Sequence, residues 1–214
     1  MVMGVILGVF AALGKTSKIL PLRIIAEVYI WLFRGTPVLV QLILWYTILS
    51  QTPEFTIALI ALGLNEGAYM AEIVRAGLEA IDKGQTEAAQ SLGMRYGQIM
   101  RRIVLPQAMR VVIPPTGNEV ISMLKTTSLA SVIALSELLQ RTQNIYTCSS
   151  CDGAFHPLEL LMIAAIYYLI LTSIFTVIQR YIESRLGDRR AGEAGRFGDW
   201  FGGRMQQAIG GRRA

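Results

Sequence analysis

The sequence predicts an all-α membrane protein with about five transmembrane helices, its N-terminus outside and its C-terminus in the cytoplasm. Three observations carry this prediction. Only 16% of the 214 residues are charged and 53% are hydrophobic, whereas a soluble domain carries about a quarter charged residues. Residues 160–179, LLMIAAIYYLILTSIFTVIQ, hold no charge at all, and a helix needs about 20 such residues to cross roughly 30 Å of hydrocarbon. The basic residues, finally, cluster in alternate loops.

The elements follow in chain order. Residues 1–14 (MVMGVILGVFAALG) are apolar from the start and lack the basic leading region of a cleavable signal. Fourteen helical residues rise only about 20 Å, so this segment reads as a truncated first helix. Segment 19–33 holds Arg23 and Glu27 one helical turn apart and ends at Arg34. It reads as an amphipathic helix on the inner surface. Gly35-Thr36-Pro37 then restarts a helix, with Thr36 as N-cap and Pro37 in the first turn. Segments 37–50, 55–80, 106–124 and 158–180 are the remaining spans, and 128–140 is too short to cross.

Loop charge tests that count. Lysine and arginine number four in 15–34, none in 50–56, six in 75–110, one in 139–157 and eight in 180–213. Basic loops stay in the cytoplasm. A sixth crossing at 128–140 would put the eight arginines of the C-terminal region outside. Residues 187–214 contain eight glycines with little apolar periodicity, which predicts a disordered cytoplasmic tail. Arg196, Phe197, Trp200, Phe201 and Arg204 equip it to touch anionic lipid.

The insertion 80–106 between two spans is not an ordinary loop. Gln85 to Leu92 favours a short helix, Gly93 suits a left-handed C′ position, and Met94 to Val104 resumes helically. Pro106 opens the next span, where a missing N–H costs nothing. The pair serves either as interfacial connectors or as a docking element, to which Ala88, Ala89 and Gly93 would admit another protein closely.

Here the series Glu87-Ala88-Ala89, three residues, Gly93, nine residues, Ile103-x-Leu105-Pro106 resembles the EAA motif of bacterial ABC-importer permeases. The surrounding chain is similar to their polar amino-acid branch. The matching pieces are Arg34-Gly35-Thr36-Pro37 with VLVQL, Ala68-Tyr69-Met70-Ala71-Glu72, Gly84-Gln85, Leu105-Pro106-Gln107-Ala108 and Leu124-Lys125-Thr126-Thr127-Ser128-Leu129. The likeness runs from about residue 15 to 185. It implies a permease domain over 1–186, with the coupling helices 80–106 lying in a groove of a separate ATPase. Glu87 is the expected contact, Gly93 sets the interhelical angle, and Ile103, Leu105 and Pro106 complete the unit.

Two motifs are decoys. Gly14-Lys15-Thr16 imitates the end of a P-loop, but the required glycine is Val9, on an apolar helix. No other stretch offers a nucleotide site, so the chain is expected to be no enzyme and to hold no cofactor, with ATP and magnesium bound by the partner. Cys148 and Cys151 have redox-motif spacing in a predicted outer loop, either as a local disulfide or as two free thiols. With His156 they make an incomplete tetrahedral metal set.

A substrate site is sought at the midplane. At 1.5 Å per residue, Glu66 lies about 17 Å below Phe55, and Asn118 and Glu119 lie about 18 Å from Pro106. Antiparallel helices thus bring Asn65, Glu66, Asn118 and Glu119 to one level, where ionisable residues are costly and face cavities. They contact substrate there, or they bond between helices, or Lys125 neutralises a glutamate. Pro114-Pro115 and Lys125–Ser128 are expected to break helices and so to line a cavity. Glu72 and Arg75 read as a structural pair.

The resemblance implies a subunit of an importer in the bacterial inner membrane. Its partners would be an ABC ATPase dimer, a second permease subunit (identical or paralogous), an external binding protein and the amino acid, with no nucleic acid. An ion-coupled transporter using Glu66 and Glu119 as proton sites is the first rival, and a membrane scaffold the second. Neither needs the docking element.

Overall fold

In the computed structural model every regular element among the described residues is a helix. The structure describes residues 1–147 and 156–210, with side chains in the second stretch as far as Leu186. The pairing of Cys148 with Cys151 and the lipid contacts of the tail side chains lie outside the described residues.

Helix α1 (Val2–Lys15) packs along α4 (Glu54–Glu79) through small residues on both helices. Gly4, Gly8 and Ala12 recur every fourth residue on α1, as Gly63, Gly67 and Ala71 do on α4. That spacing makes a stripe along one face, and small side chains let backbones approach where lipid gives no hydrophobic drive. A Cβ on Gly4 would stand 2.5 Å from Glu66 Cγ, and one on Gly67 would stand 2.5 Å from Tyr29 Oη. At the end of α1, Lys15 Nζ meets Glu72 Oε1 at 2.5 Å, and Arg75 meets the other Glu72 oxygen at 2.7 Å and Glu79 at 2.5 Å. The expected Glu72–Arg75 pair is therefore present. Lys15, the residue of the false P-loop, is its third member.

α2 (Leu20–Gly35) and α3 (Val38–Ile48) meet at 107°. Thr36 is not the N-cap of α3; Pro37 occupies that position, and the Thr36 hydroxyl donates back to Leu32 O at 2.8 Å. Below the bend, Leu42 of α3 packs with Ile57, Ala58 and Ala61 of α4 and with Ala130 and Ile133.

α5 (Lys83–Ser91) ends in a Schellman turn: Gly93 N–H donates to Gln90 O and Met94 N–H to Ala89 O. Gly93 has φ +78°, the left-handed conformation its position was expected to need. α6 (Tyr96–Ile99) leads through a π-turn (Met100–Val104) into α7 (Leu105–Thr126). The wide turn falls just before Pro106, whose ring would crowd an α-helical carbonyl and which has no N–H to offer. Ala89, Ile99 and Val104 close a small core under this unit.

α7 runs unbroken through Pro114 and Pro115, contrary to the break expected there. Two missing donors weaken a helix locally, and packed neighbours let a membrane helix tolerate them. The expected break at Lys125–Ser128 does occur, as a change to a 3₁₀-helix (Thr127–Ile133) that stops at Ala134 with φ +58°. Glu137 then caps α8 (Leu138–Tyr146), accepting from Leu139 and Gln140 N–H.

α4 and residues 157–186 of α9 (Pro157–Gly210) are each long and apolar enough to cross a membrane. The bent pairs α2–α3 and the 96–133 run with α8 raise the number to four, and α1 is a shorter apolar helix beside them. The chain divides into Met1–Phe175 and Thr176–Ala214. In the second unit the backbone is helical through the glycines to Gly210. Arg, Ala, Glu, Met and Gln between those glycines are good helix formers.

Candidate functional site: a cavity between two helix faces

α4 and α7 turn matching faces toward each other. Leu62, Asn65, Glu66 and Tyr69 on α4 and Glu119, Ser122, Met123 and Thr126 on α7 both follow the spacing i, i+3, i+4, i+7. That spacing holds four side chains on one side of a helix. Between them lies a cavity of about 480 Å³, closed on a third side by the chain from Arg34 to Val38. Its volume falls within the ~300–1,000 Å³ typical of small-molecule sites.

The chemistry of the lining is uneven. Glu66 is 7% exposed, and its Oε1 has no hydrogen-bond partner. Leaving a buried acceptor unsatisfied costs about 1–3 kcal/mol, and more when it is charged. Glu119 adds a second, half-buried carboxylate to the same space. Opposite in charge, the Arg34 guanidinium lies 5.2 Å from the centre of the Tyr69 ring. A cavity with two carboxylates, one guanidinium and an aromatic face suits a small zwitterion.

Asn65 lies in the lining, but its amide is engaged: Nδ2 donates to Phe33 O at 2.9 Å and to Gln41 Oε1 at 3.1 Å. Asn118 is exposed and does not line the cavity. Rise along the axis cannot tell Asn118 from Glu119; the rotation of about 100° between neighbours does. Lys125 is exposed, and no ion pair joins it to either glutamate among the described residues. Sequence reasoning missed Arg34, Tyr69, Ser122, Met123 and Thr126 as lining, although the shared helical spacing was there to be read.

The second candidate region is the helix–turn–helix of 80–106. Glu87 and Ala88 stand exposed on α5, beside the exposed Gly93. Ala89 does not: it is 3% exposed and packs inward on Ile99 and Val104, with Ile103 against the same core. Ala89 therefore holds the unit together and offers no approach to a partner. Leu105 and Pro106 are exposed at the start of α7. Unforeseen are Leu92 and Tyr96, 83% and 68% exposed on either side of the turn. Gln107 Nε2 donates to Gln85 Oε1 at 2.6 Å and to Ile103 O at 3.1 Å, tying α5 to the base of α7.

Known proteins resemble this chain. The arginine transport system permease protein ArgU of Corynebacterium glutamicum is 45% identical over 86% of this chain, which spans 62% of the ArgU length. The arginine transport system permease protein ArtQ of Bacillus subtilis is 40% identical over 86% of this chain and 84% of its own. A crystal structure of an amino acid ABC transporter with histidines superposes with a TM-score of 0.79 at 40% identity, over 86% of both chains. A sequence profile of one family covers residues 4–188, the whole cavity and the helix–turn–helix of 80–106 included. On these grounds the chain belongs to the family of binding-protein-dependent transport system inner membrane components.

Proposed function

We propose that this chain is the permease subunit of an ATP-driven importer in a bacterial inner membrane, and that it passes a polar amino acid through the cavity between α4 and α7. The observation that carries this reading is Glu66: a buried carboxylate with an unpartnered oxygen, facing a cavity that also holds Glu119 and Arg34. A substrate ammonium group would satisfy Glu66, and its carboxylate would pair with the Arg34 guanidinium. A cationic side chain would meet Glu119. The names of the two arginine permeases support that choice of substrate.

The energy comes from elsewhere. A separate ATPase dimer binds ATP and magnesium and docks on the exposed face of α5 at Glu87 and Ala88. A second permease subunit, identical or paralogous, completes the path, and an external binding protein delivers the substrate. Through the Gln85–Gln107 bond, a movement of α5 pulls directly on α7, one wall of the cavity. A rigid short helix transmits such a movement that a flexible loop would absorb.

Glu66→Gln and Glu119→Gln test the site, since each keeps shape and removes charge. Losing one charged hydrogen bond to substrate costs on the order of 1.5–3 kcal/mol, about ten- to a hundredfold in uptake at limiting substrate. Membrane insertion should be unchanged. Normal uptake by both variants would place the site elsewhere.

A further inference from the structure

The cavity wall at Arg34–Val38 crosses the one place where the lining is not helix, Thr36 and Pro37 between α2 and α3. Chain between two helices offers unpaired backbone groups, which at membrane depth must find partners inside the protein. Two of them, Phe33 O and Thr36 O, find a partner in one side chain. Gln41, 6% exposed, turns its amide back from α3: Nε2 faces Phe33 O at 2.9 Å, Thr36 O at 3.0 Å and Thr36 Oγ1 at 2.7 Å. Two hydrogens are shared among these three acceptors. The amide oxygen of Gln41 in turn accepts from Asn65 Nδ2, which also donates to Phe33 O.

We infer that Gln41, braced by Asn65, is the positioning residue of the substrate site: it fixes the Arg34 wall against α4 and so sets where the Arg34 guanidinium stands relative to Glu66. This inference rests on the transport reading above and adds to it a residue that does not itself line the cavity. The bond network has no slack. Phe33 O is held by both amides, Thr36 is held by backbone and hydroxyl alike, and the Thr36 hydroxyl is itself tied to Leu32 O. A wall held at both ends of the bend moves with α4 as one body. Arg34, one residue beyond Phe33, is then presented over Tyr69, which α4 also carries. The consequence concerns affinity: an arginine held in place selects the substrate carboxylate, and one on a loose helix end does not.

The first arm of the test needs no transport. Cysteines replace Gly35 and Ser122 on opposite walls, with Cys148 and Cys151 changed to serine, and spin labels report the distance between them. Gly35 accepts the change because a Cβ there meets nothing within 4 Å. Gln41→Glu keeps the shape and removes the donor; it should shift or broaden the distance distribution. An unchanged distribution overturns the inference, whatever the protein carries. If Gln41→Glu does not accumulate in the membrane, Gln41→Met supplies the same reading with an apolar side chain of similar length. The second arm uses vesicles holding permease and ATPase. There Gln41→Glu should raise KM for the amino acid about tenfold and leave kcat within about twofold. Arg34→Ala added to Gln41→Glu should raise KM little further, as expected of residues acting through one another. Multiplying effects would overturn the route through Arg34. Absence of any ATP-dependent uptake by the unmodified protein would instead sink the transport reading and leave the distance measurement standing.

Discussion

Gly93 shows how much one residue decides here. Its φ of +78° is open to glycine and strained for most side chains, while a Cβ added there meets no atom within 4 Å. The cost of substitution is therefore backbone strain alone, about 1–3 kcal/mol. Gly93→Val should pay it in full, and Gly93→Asn much less, because asparagine tolerates the left-handed region. The prediction is that both variants reach the membrane in normal amounts, and that uptake falls with Val and largely survives with Asn. Equal loss in both would mean that the surface at Gly93 matters, and not the turn. Glu66 is the opposite case. Its backbone is ordinary helix, and its interest lies in one oxygen without a partner. The turn glycine was legible from sequence because its position in a helix–break–helix pattern has one physical meaning. The place of Glu66 was legible only as a depth, since a linear reading cannot say which oxygen goes unbonded.

At the scale of elements, the α1–α4 contact was the least foreseeable feature. Read alone, residues 1–14 look like a span that falls short of the bilayer. The four-residue repeat of Gly4, Gly8 and Ala12 against Gly63, Gly67 and Ala71 packs this short helix closely on α4. A pattern inside one segment shows a small face, and only a second matching segment gives it a partner. Overlap at this contact should be costly: Gly67→Val places methyl groups against Tyr29 and Leu7, at about 1–3 kcal/mol for overpacking. The thermal midpoint of the purified protein should fall, whereas Gly35→Val, in open space, should leave it unchanged. Matching midpoints for the two would argue against the close contact. The cavity faces teach a similar lesson. Asn65, Glu66 and Glu119 were found because polar residues in a span draw notice. Tyr69, Met123 and Thr126 were passed over because each alone fits a lipid-facing or core role. Pro114 and Pro115 misled in the other direction, since tertiary packing carried the helix through them.

For the whole molecule, loop charge predicts an orientation that composition cannot show. Arginine is absent from 50–56 and dense beyond 180, so Thr52 should face outward and Ser184 the cytoplasm. Cysteines placed there, in a chain lacking Cys148 and Cys151, should differ in labelling by an impermeant thiol reagent in intact cells. Labelling of both to the same extent would reverse or remove the assigned topology. The family fixes the kind of machine, and in the proposed reading the cavity holds the cargo and the Gln85–Gln107 link receives the force. What joins the two is the claim that the chain moves an amino acid with energy supplied by another subunit. The most direct test is uptake into sealed vesicles containing the purified permease, with and without its ATPase, with ATP or a non-hydrolysable analogue on the ATPase side. Uptake should appear only with the ATPase and hydrolysable ATP, and should be insensitive to a collapsed proton gradient. Uptake by the permease alone, or uptake that follows the proton gradient, would contradict the account.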